Sequence, residues 1–310
     1  MQEVPVSEKK VLSKKTAQQS SDTDRLLKLT TYASVITAII LIVAKVFAWG
    51  ASGSLSVLAS LIDSIMDAAA SIINLVAVRY ALIPADDDHK FGHGKAEALA
   101  GLGQAMFITG SAIFLLFHSV DRMLHPREIE QVSVAVGIMV FSIIATAILL
   151  MLQRYTVKRT QSVAIKADSL HYAADLFTNV GIVVALMLAQ AGWPGIDPIF
   201  AILIAFYVLY SAWSIVVESV NDLLDKELPE SVQQAIVEVV VSHKDVRGVH
   251  DLRTRQSGRN KIVQFHMEID RDLPLWQAHD VAEVIEQELL LKFPEVDVII
   301  HQDPYPPLAV

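Results

Sequence analysis

The 310-residue chain contains no cysteine. Disulfides and thiolate metal ligands are excluded, so any metal it binds must be held by oxygen and imidazole nitrogen. Nor is there an excess of positive charge. The formal net charge is −9, whereas a nucleic-acid binder presents a basic face. No N-terminal apolar run has the ~7–15 residues of a signal peptide. Residues 1–28 are polar and carry Lys9, Lys10, Lys14, Lys15, Arg25 and Lys28. The apolar run behind them is too long for a signal, and reads as a first membrane helix after a disordered polar tail. No short-period repeat, low-complexity tract or His-Glu-x-x-His motif is present.

What is present is apolar sequence in long runs. Hydrophobic residues make up 53% of the chain and the mean hydropathy is +0.44, against about 45–50% apolar residues in soluble domains. Crossing ~30 Å of hydrocarbon takes about 20 apolar residues in a helix. Six stretches qualify: 29–50, 55–82, 98–120, 132–152, 167–190 and 196–217. Lys and Arg in short loops set orientation. They crowd the tail and the 153–166 loop (Arg154, Lys158, Arg159, Lys166), are absent from 51–54 and 190–195, and number two, Arg122 and Arg127, in 121–131. The tail, the 83–97 and 153–166 loops and the C-terminal region are therefore expected in the cytoplasm. An even helix count puts both termini on that side.

From 218 to 310 charged and apolar residues mix. Apolar spacing gives a helix at 229–243, strands at 248–255 and 261–269 around a Ser257-Gly258 turn, a helix at 273–293 and a strand at 296–301. The expected fold is an α-helical polytopic membrane protein: tail 1–28, six transmembrane helices over 29–217, then a small open-faced α+β domain of order αββαβ over 218–310.

Ionisable residues inside the apolar runs carry the chemistry. Asp63 and Asp67 are four apart in the second run, and His171 and Asp175 four apart in the fifth. Positions i and i+4 share a helix face, so two facing helices supply three carboxylates and one imidazole, a set suited to tetrahedral Zn²⁺. A central Asp costs roughly 2.5–3.5 kcal/mol to insert, so three unpaired ones would rival a domain's whole stability. A cation or protons must relieve that cost, and metal arrival expels the protons. Asp168, one turn before His171, reads as an interfacial helix-start residue.

Two further groups lie outside the apolar runs. Between the second and third runs, Asp86, His89 and His93 have offsets of three and four, which lets them converge in a turn. In the C-terminal segment His250, His266, His279, His301 and Asp303 are candidate ligands. His301 and Asp303 share a strand face, and His266 points away from Val263, Phe265, Met267 and Ile269. That face suits a metal site or a dimer interface. His118, His125 and His243 read as structural or surface residues.

Five stretches together resemble the cation diffusion facilitator family, and within it the bacterial zinc and ferrous-iron efflux pumps: GSLSVLASLIDS at 53–64, PADDDHKFGHGKAE at 84–97, ADSLHYAAD at 167–175, HDLRTRQSG at 250–258 and VIIHQDP at 298–304. The resemblance runs from about residue 29 to 304. It implies a homodimeric metal/proton antiporter of a bacterial inner membrane, with Zn²⁺ as cargo and Cd²⁺ or Fe²⁺ as alternatives. Asp63, Asp67, His171 and Asp175 would form the transport site, and Asp86, His89 and His93 a loop site. His250, His266, His279, His301 and Asp303 would form a binuclear site bridged by Asp303. Lys95 and Asp225 would form a charge pair at the dimer neck.

Three other classes fit less well. In a membrane metalloenzyme the four intramembrane ligands would leave no open position for water. A proton-coupled carrier of an organic substrate leaves the loop and C-terminal ligands unexplained. A membrane-anchored metal sensor would need only the cytoplasmic domain.

Overall fold

A computed structural model of the chain describes residues 6–52, 55–124, 132–190, 197–293 and 296–305. His125, Arg127 and the connections expected at 51–54 and 190–195 fall wholly or partly outside them. The chain divides into two compact units: Thr23–Ile83 with Ala96–Val220, and Met1–Asp22 with Pro84–Lys95 and Asn221–Val310.

The first unit is built from α1 (Val6–Ser52) from Thr23 onward, α2 (Leu55–Ala81), α3 (Ala96–Leu124), α4 (Val132–Thr160), α5 (Val163–Gln190) and α6 (Asp197–Leu223) as far as Val220. A helix satisfies its backbone polar groups internally, which hydrocarbon demands. Five of these helices contain spans long and apolar enough to cross a membrane: Ser21–Ala51, Ser60–Ala81, Ala96–Asp121, Gly137–Thr160 and Pro198–Leu223. The remaining helix, α5, is 28 residues long and carries Lys166, Asp168, His171 and Asp175.

Large apolar side chains point outward in this unit: Phe114 and Phe117 are each 73% exposed and Tyr210 79%. Polar side chains point inward, among them Ser34, Ser64, Asp67, Gln104, Gln153 and His171. Lipid gives no hydrophobic drive between helices, so small residues that allow close approach make the contacts. Ala105, Ala112, Ala167 and Ala212 are buried together around α3, α5 and α6. α5 packs mainly against α4 and α3, and more thinly against α2.

Two expectations change. Helix α1 begins at Val6, so the tail is helical from there rather than disordered. The 153–166 loop shrinks to Gln161 and Ser162, because α4 runs to Thr160 and α5 starts at Val163. Lys, Arg and Gln are good helix formers, and nothing at the hydrocarbon boundary obliges a helix to stop there. Lys158 and Arg159 sit in the last turn of α4, where cations favour the helix dipole.

The second unit contains α7 (Glu230–Ser242), β1 (Val246–Ser257), β2 (Asn260–Asp270), α8 (Leu275–Lys292) and β3 (Val296–Tyr305). The sheet order is β1-β2-β3, with β1-β2 antiparallel and β2-β3 parallel. Val263, Phe265, Met267 and Ile269 of β2 are buried against Ile236 and Val240 of α7 and Ile285 and Leu289 of α8. The opposite sheet face is left to the polar residues. Register aligns His250 with His266 and His266 with His301, and in the next row Gly248 with Glu268 and Glu268 with Asp303.

Candidate metal centres

In the membrane unit, α2 and α5 bring Asp67, His171 and Asp175 together, each offering a donor atom within 4.8 Å of the others. His171 Nε2 lies 2.9 Å from Asp67 Oδ1 and 3.7 Å from Asp175 Oδ2. Asp67 and His171 are buried. The ring of Phe107 approaches His171 edge-on at 6.0 Å. Asp63, one turn from Asp67, lines the same cavity of about 570 Å³ without joining the 4.8 Å group. Ionisable residues that line a cavity between apolar helices mark a candidate functional site.

Asp168 is not interfacial. It is 1% exposed, and its carboxylate accepts hydrogen bonds from Ser34 (2.7 Å), Gln153 (2.8 Å) and Gln104 (3.2 Å). It ties α5 to α1, α4 and α3.

In the second unit the loop residues Asp86, His89 and His93 form another group with donor atoms within 4.8 Å. Asp86 Oδ1 accepts the backbone N–H groups of His89 (2.7 Å) and Asp88 (3.0 Å), and Oδ2 lies 3.3 Å from His93 Nε2. The two imidazole centroids are 4.6 Å apart. The His89 N–H bond, with that of Asp88 and the nearby imidazoles, holds the Asp86 carboxyl below its ordinary range.

This loop is docked by a close backbone contact. A Cβ on Gly94 would collide with the Ser257 carbonyl, and one on Gly258, at φ +59°, would lie 2.9 Å from the Gly94 Cα. Gly258→Ala is expected to destabilise this unit by about 1–3 kcal/mol, combining left-handed strain with the clash. Thermal unfolding of the purified protein checks it, and an unchanged Tm would contradict it. Lys95 Nζ is 3.0 Å from Asp225 and donates to the Leu223 carbonyl at 3.2 Å. Arg255, which the sequence did not flag, adds a second cation 3.4 Å from Asp225 while stacking 4.7 Å over Phe91.

On the polar sheet face, three imidazoles surround Asp303. Its Oδ2 lies 2.8 Å from His266 Nδ1 and 3.2 Å from His250 Nε2, and its Oδ1 lies 3.2 Å from His301 Nε2. One oxygen thus faces two histidines and the other faces the third, a donor set that fits borderline metals such as Zn²⁺. His250, His266 and Asp303 offer donor atoms within 4.8 Å of one another, while His301, beside Asp303 Oδ1, lies outside that group, as does His279, exposed on α8. Glu268 was missed: its carboxylate is 3.4 Å from His250. The signal was its two-residue offset from His266, which puts both on one face of β2. Gly248 leaves room for it, since a Cβ there would press on the Glu268 side chain.

The His266 hydrogen bond, and the imidazoles around it, hold the Asp303 carboxyl below its ordinary range. The carboxylate's contribution is therefore complete at neutral pH and is lost only as pH falls through that depressed value. A metal ligand must be deprotonated, so zinc held through Asp303 is expected to be lost as pH falls through that depressed range, and Asp303→Asn is expected to bind zinc more weakly at neutral pH. Zinc titrations of wild type and variant check this, and equal affinities would contradict a role for Asp303.

The sequence model of the cation efflux transmembrane domain matches residues 31–224, and that of the cation efflux protein cytoplasmic domain matches 228–305. The chain belongs to the cation efflux family. Relatives include cation-efflux pump FieF of Salmonella arizonae and of Salmonella schwarzengrund. Each is 49% identical over 280 residues, 90% of this chain and 93% of the relative. A solved structure of CzrB, described as a zinc transporter, is 29% identical over 25% of this chain and 96% of its own, with a TM-score of 0.24. This cation efflux protein is thus an integral, multi-pass membrane transporter rather than an enzyme.

Proposed function

We propose that the protein exports Zn²⁺ in exchange for protons, by alternating access in a homodimer with six membrane spans per chain and both termini in the cytoplasm of a bacterial cell. The observation that carries this reading is the meeting of Asp67, His171 and Asp175 on two helices, with Asp63 in the same cavity. Oxygen and nitrogen donors without thiolate fit Zn²⁺ and admit Cd²⁺ or Fe²⁺. α5 is taken as the sixth span, since it supplies two ligands and is long enough to cross. Carboxylates and an imidazole emptied of metal take up protons, and returning metal displaces them.

The Asp86 loop group and the Asp303 group are read as cytoplasmic metal sites, and Asp303 as the bridge between two ions, because its oxygens face different histidines. The match to the family's cytoplasmic dimerisation domain supports the homodimer. The Lys95–Asp225 pair, reinforced by Arg255, is read as the brace of its neck.

The test is zinc flux in proteoliposomes, with and without an imposed pH gradient, for the wild type and Asp175→Ala. Gradient-stimulated flux in the wild type and none in the variant is expected. Equal flux in both would remove the site, and flux indifferent to the gradient would remove the exchange.

A further inference from the structure

The cavity that holds the proposed transport ligands also contains a basic side chain. Lys45 of α1 lines it together with Asp63, Asp67, His171 and Asp175. Its ammonium donates to the Ser64 hydroxyl at 2.6 Å and the Ser60 carbonyl at 3.0 Å, both on α2. Ser64 is buried, 2% exposed, and neighbours Asp63 in sequence. A lysine in a membrane span is costly and marks function or a partner. Near a helix end it could instead reach for headgroups, but here its Nζ turns inward to α2.

A positive charge beside a cation's binding site weakens that cation's affinity. A carrier can use this, because cargo must be bound firmly enough to enter and loosely enough to leave. Three ionised carboxylates would hold a divalent ion with one negative charge to spare. Against one ammonium they present two negative charges, which one divalent ion cancels. We propose that Lys45 is a positioning and charge-matching residue of the transport site: its ammonium, tethered to Ser60 and Ser64, sets the site's net charge to that of a single divalent cation and speeds the ion's release.

This inference rests on the transport reading above, and one set of measurements separates the two. Initial rates of zinc flux in proteoliposomes are taken against zinc concentration for wild type, Lys45→Gln, Lys45→Arg and Asp175→Ala. Lys45→Gln is expected to lower KM about tenfold and to lower the maximal rate similarly, since one removed like charge strengthens ground-state binding and slows release. Lys45→Arg, which keeps the charge, is expected to bring both back within about twofold of wild type. An unchanged or raised KM in Lys45→Gln, with Asp175→Ala inactive, overturns the role of Lys45 and leaves the transport site standing. Active Asp175→Ala overturns the site itself.

Should Lys45→Gln fail to fold, Ser64→Ala gives an independent reading. Freed of one tether, the ammonium competes for the carboxylates, and KM is expected to rise several-fold. No rise would overturn the proposal.

Discussion

Asp67→Asn is expected to lower zinc flux more than about 100-fold, since removing even partners outside a metal's ligand shell costs ~10–100-fold. Asp67 is the most deeply placed of the intramembrane carboxylates on α2, 9% exposed, with His171 at 2.9 Å. Asparagine keeps the shape and can keep a hydrogen bond to the imidazole, but it carries no charge and is a poor ligand for zinc. The same change removes a charge whose insertion costs roughly 2.5–3.5 kcal/mol. Stability and transport should therefore move in opposite directions: the Tm of the metal-free protein in detergent holds or rises while flux disappears. Proteoliposome flux and thermal unfolding of one preparation measure both. Flux near wild type would mean that the ion passes elsewhere, and a collapsed Tm would mean that Asp67 is structural.

Asp168→Ala should behave in the other way, failing first in stability. Its carboxylate accepts hydrogen bonds from Ser34, Gln104 and Gln153, which come from three different helices and are themselves buried. Alanine would remove the acceptor that these three donors share. Stranded buried donors cost about 1–3 kcal/mol each, and the loss in total is about 3–5 kcal/mol, comparable to breaking a buried ion pair. In thermal unfolding this corresponds to a fall on the order of 10 °C. Asp168→Asn, which keeps one acceptor oxygen, should fall by less. A Tm within a degree or two of wild type in Asp168→Ala would show that the network is dispensable.

The two intramembrane aspartates differ in how far sequence could reveal them. Asp67, His171 and Asp175 were legible because helical periodicity turns a spacing of four into a shared face, and a charge inside an apolar run demands a reason. Asp168 carries the same cost, but none of its hydrogen-bond donors lies on its own helix. Its donors sit on α1, α3 and α4, and no local pattern links them, so it read as a helix start. Lys45 is hidden from the sequence for the same reason, its hydrogen bonds being to another helix.

On the sheet, period-two alternation separated Phe265 and Met267 from His266. It could not give the parallel pairing of β2 with β3, which sets His301 beside His266 and Asp303 beside Glu268. Without that register Glu268 had no visible partner, and His279 on α8 looked as good a ligand as the strand histidines. The tail and the 153–166 segment were misread because charge was taken as a sign of loop. Lys, Arg, Glu and Gln are good helix formers once the segment leaves hydrocarbon.

The thin packing between α2 and α5 has a mechanical consequence. α5 is held to α4 and α3 by close contacts, whereas its contact with α2 is sparse, and the proposed ligands are divided across that seam: Asp63 and Asp67 on one side, His171 and Asp175 on the other. The two jaws are stiff helices, so a slide of about 3 Å, half a helical turn, would part them without a single side chain changing rotamer. An ion seated there would be mortar in a thin joint of the bundle, and on its leaving the joint would be free to slip.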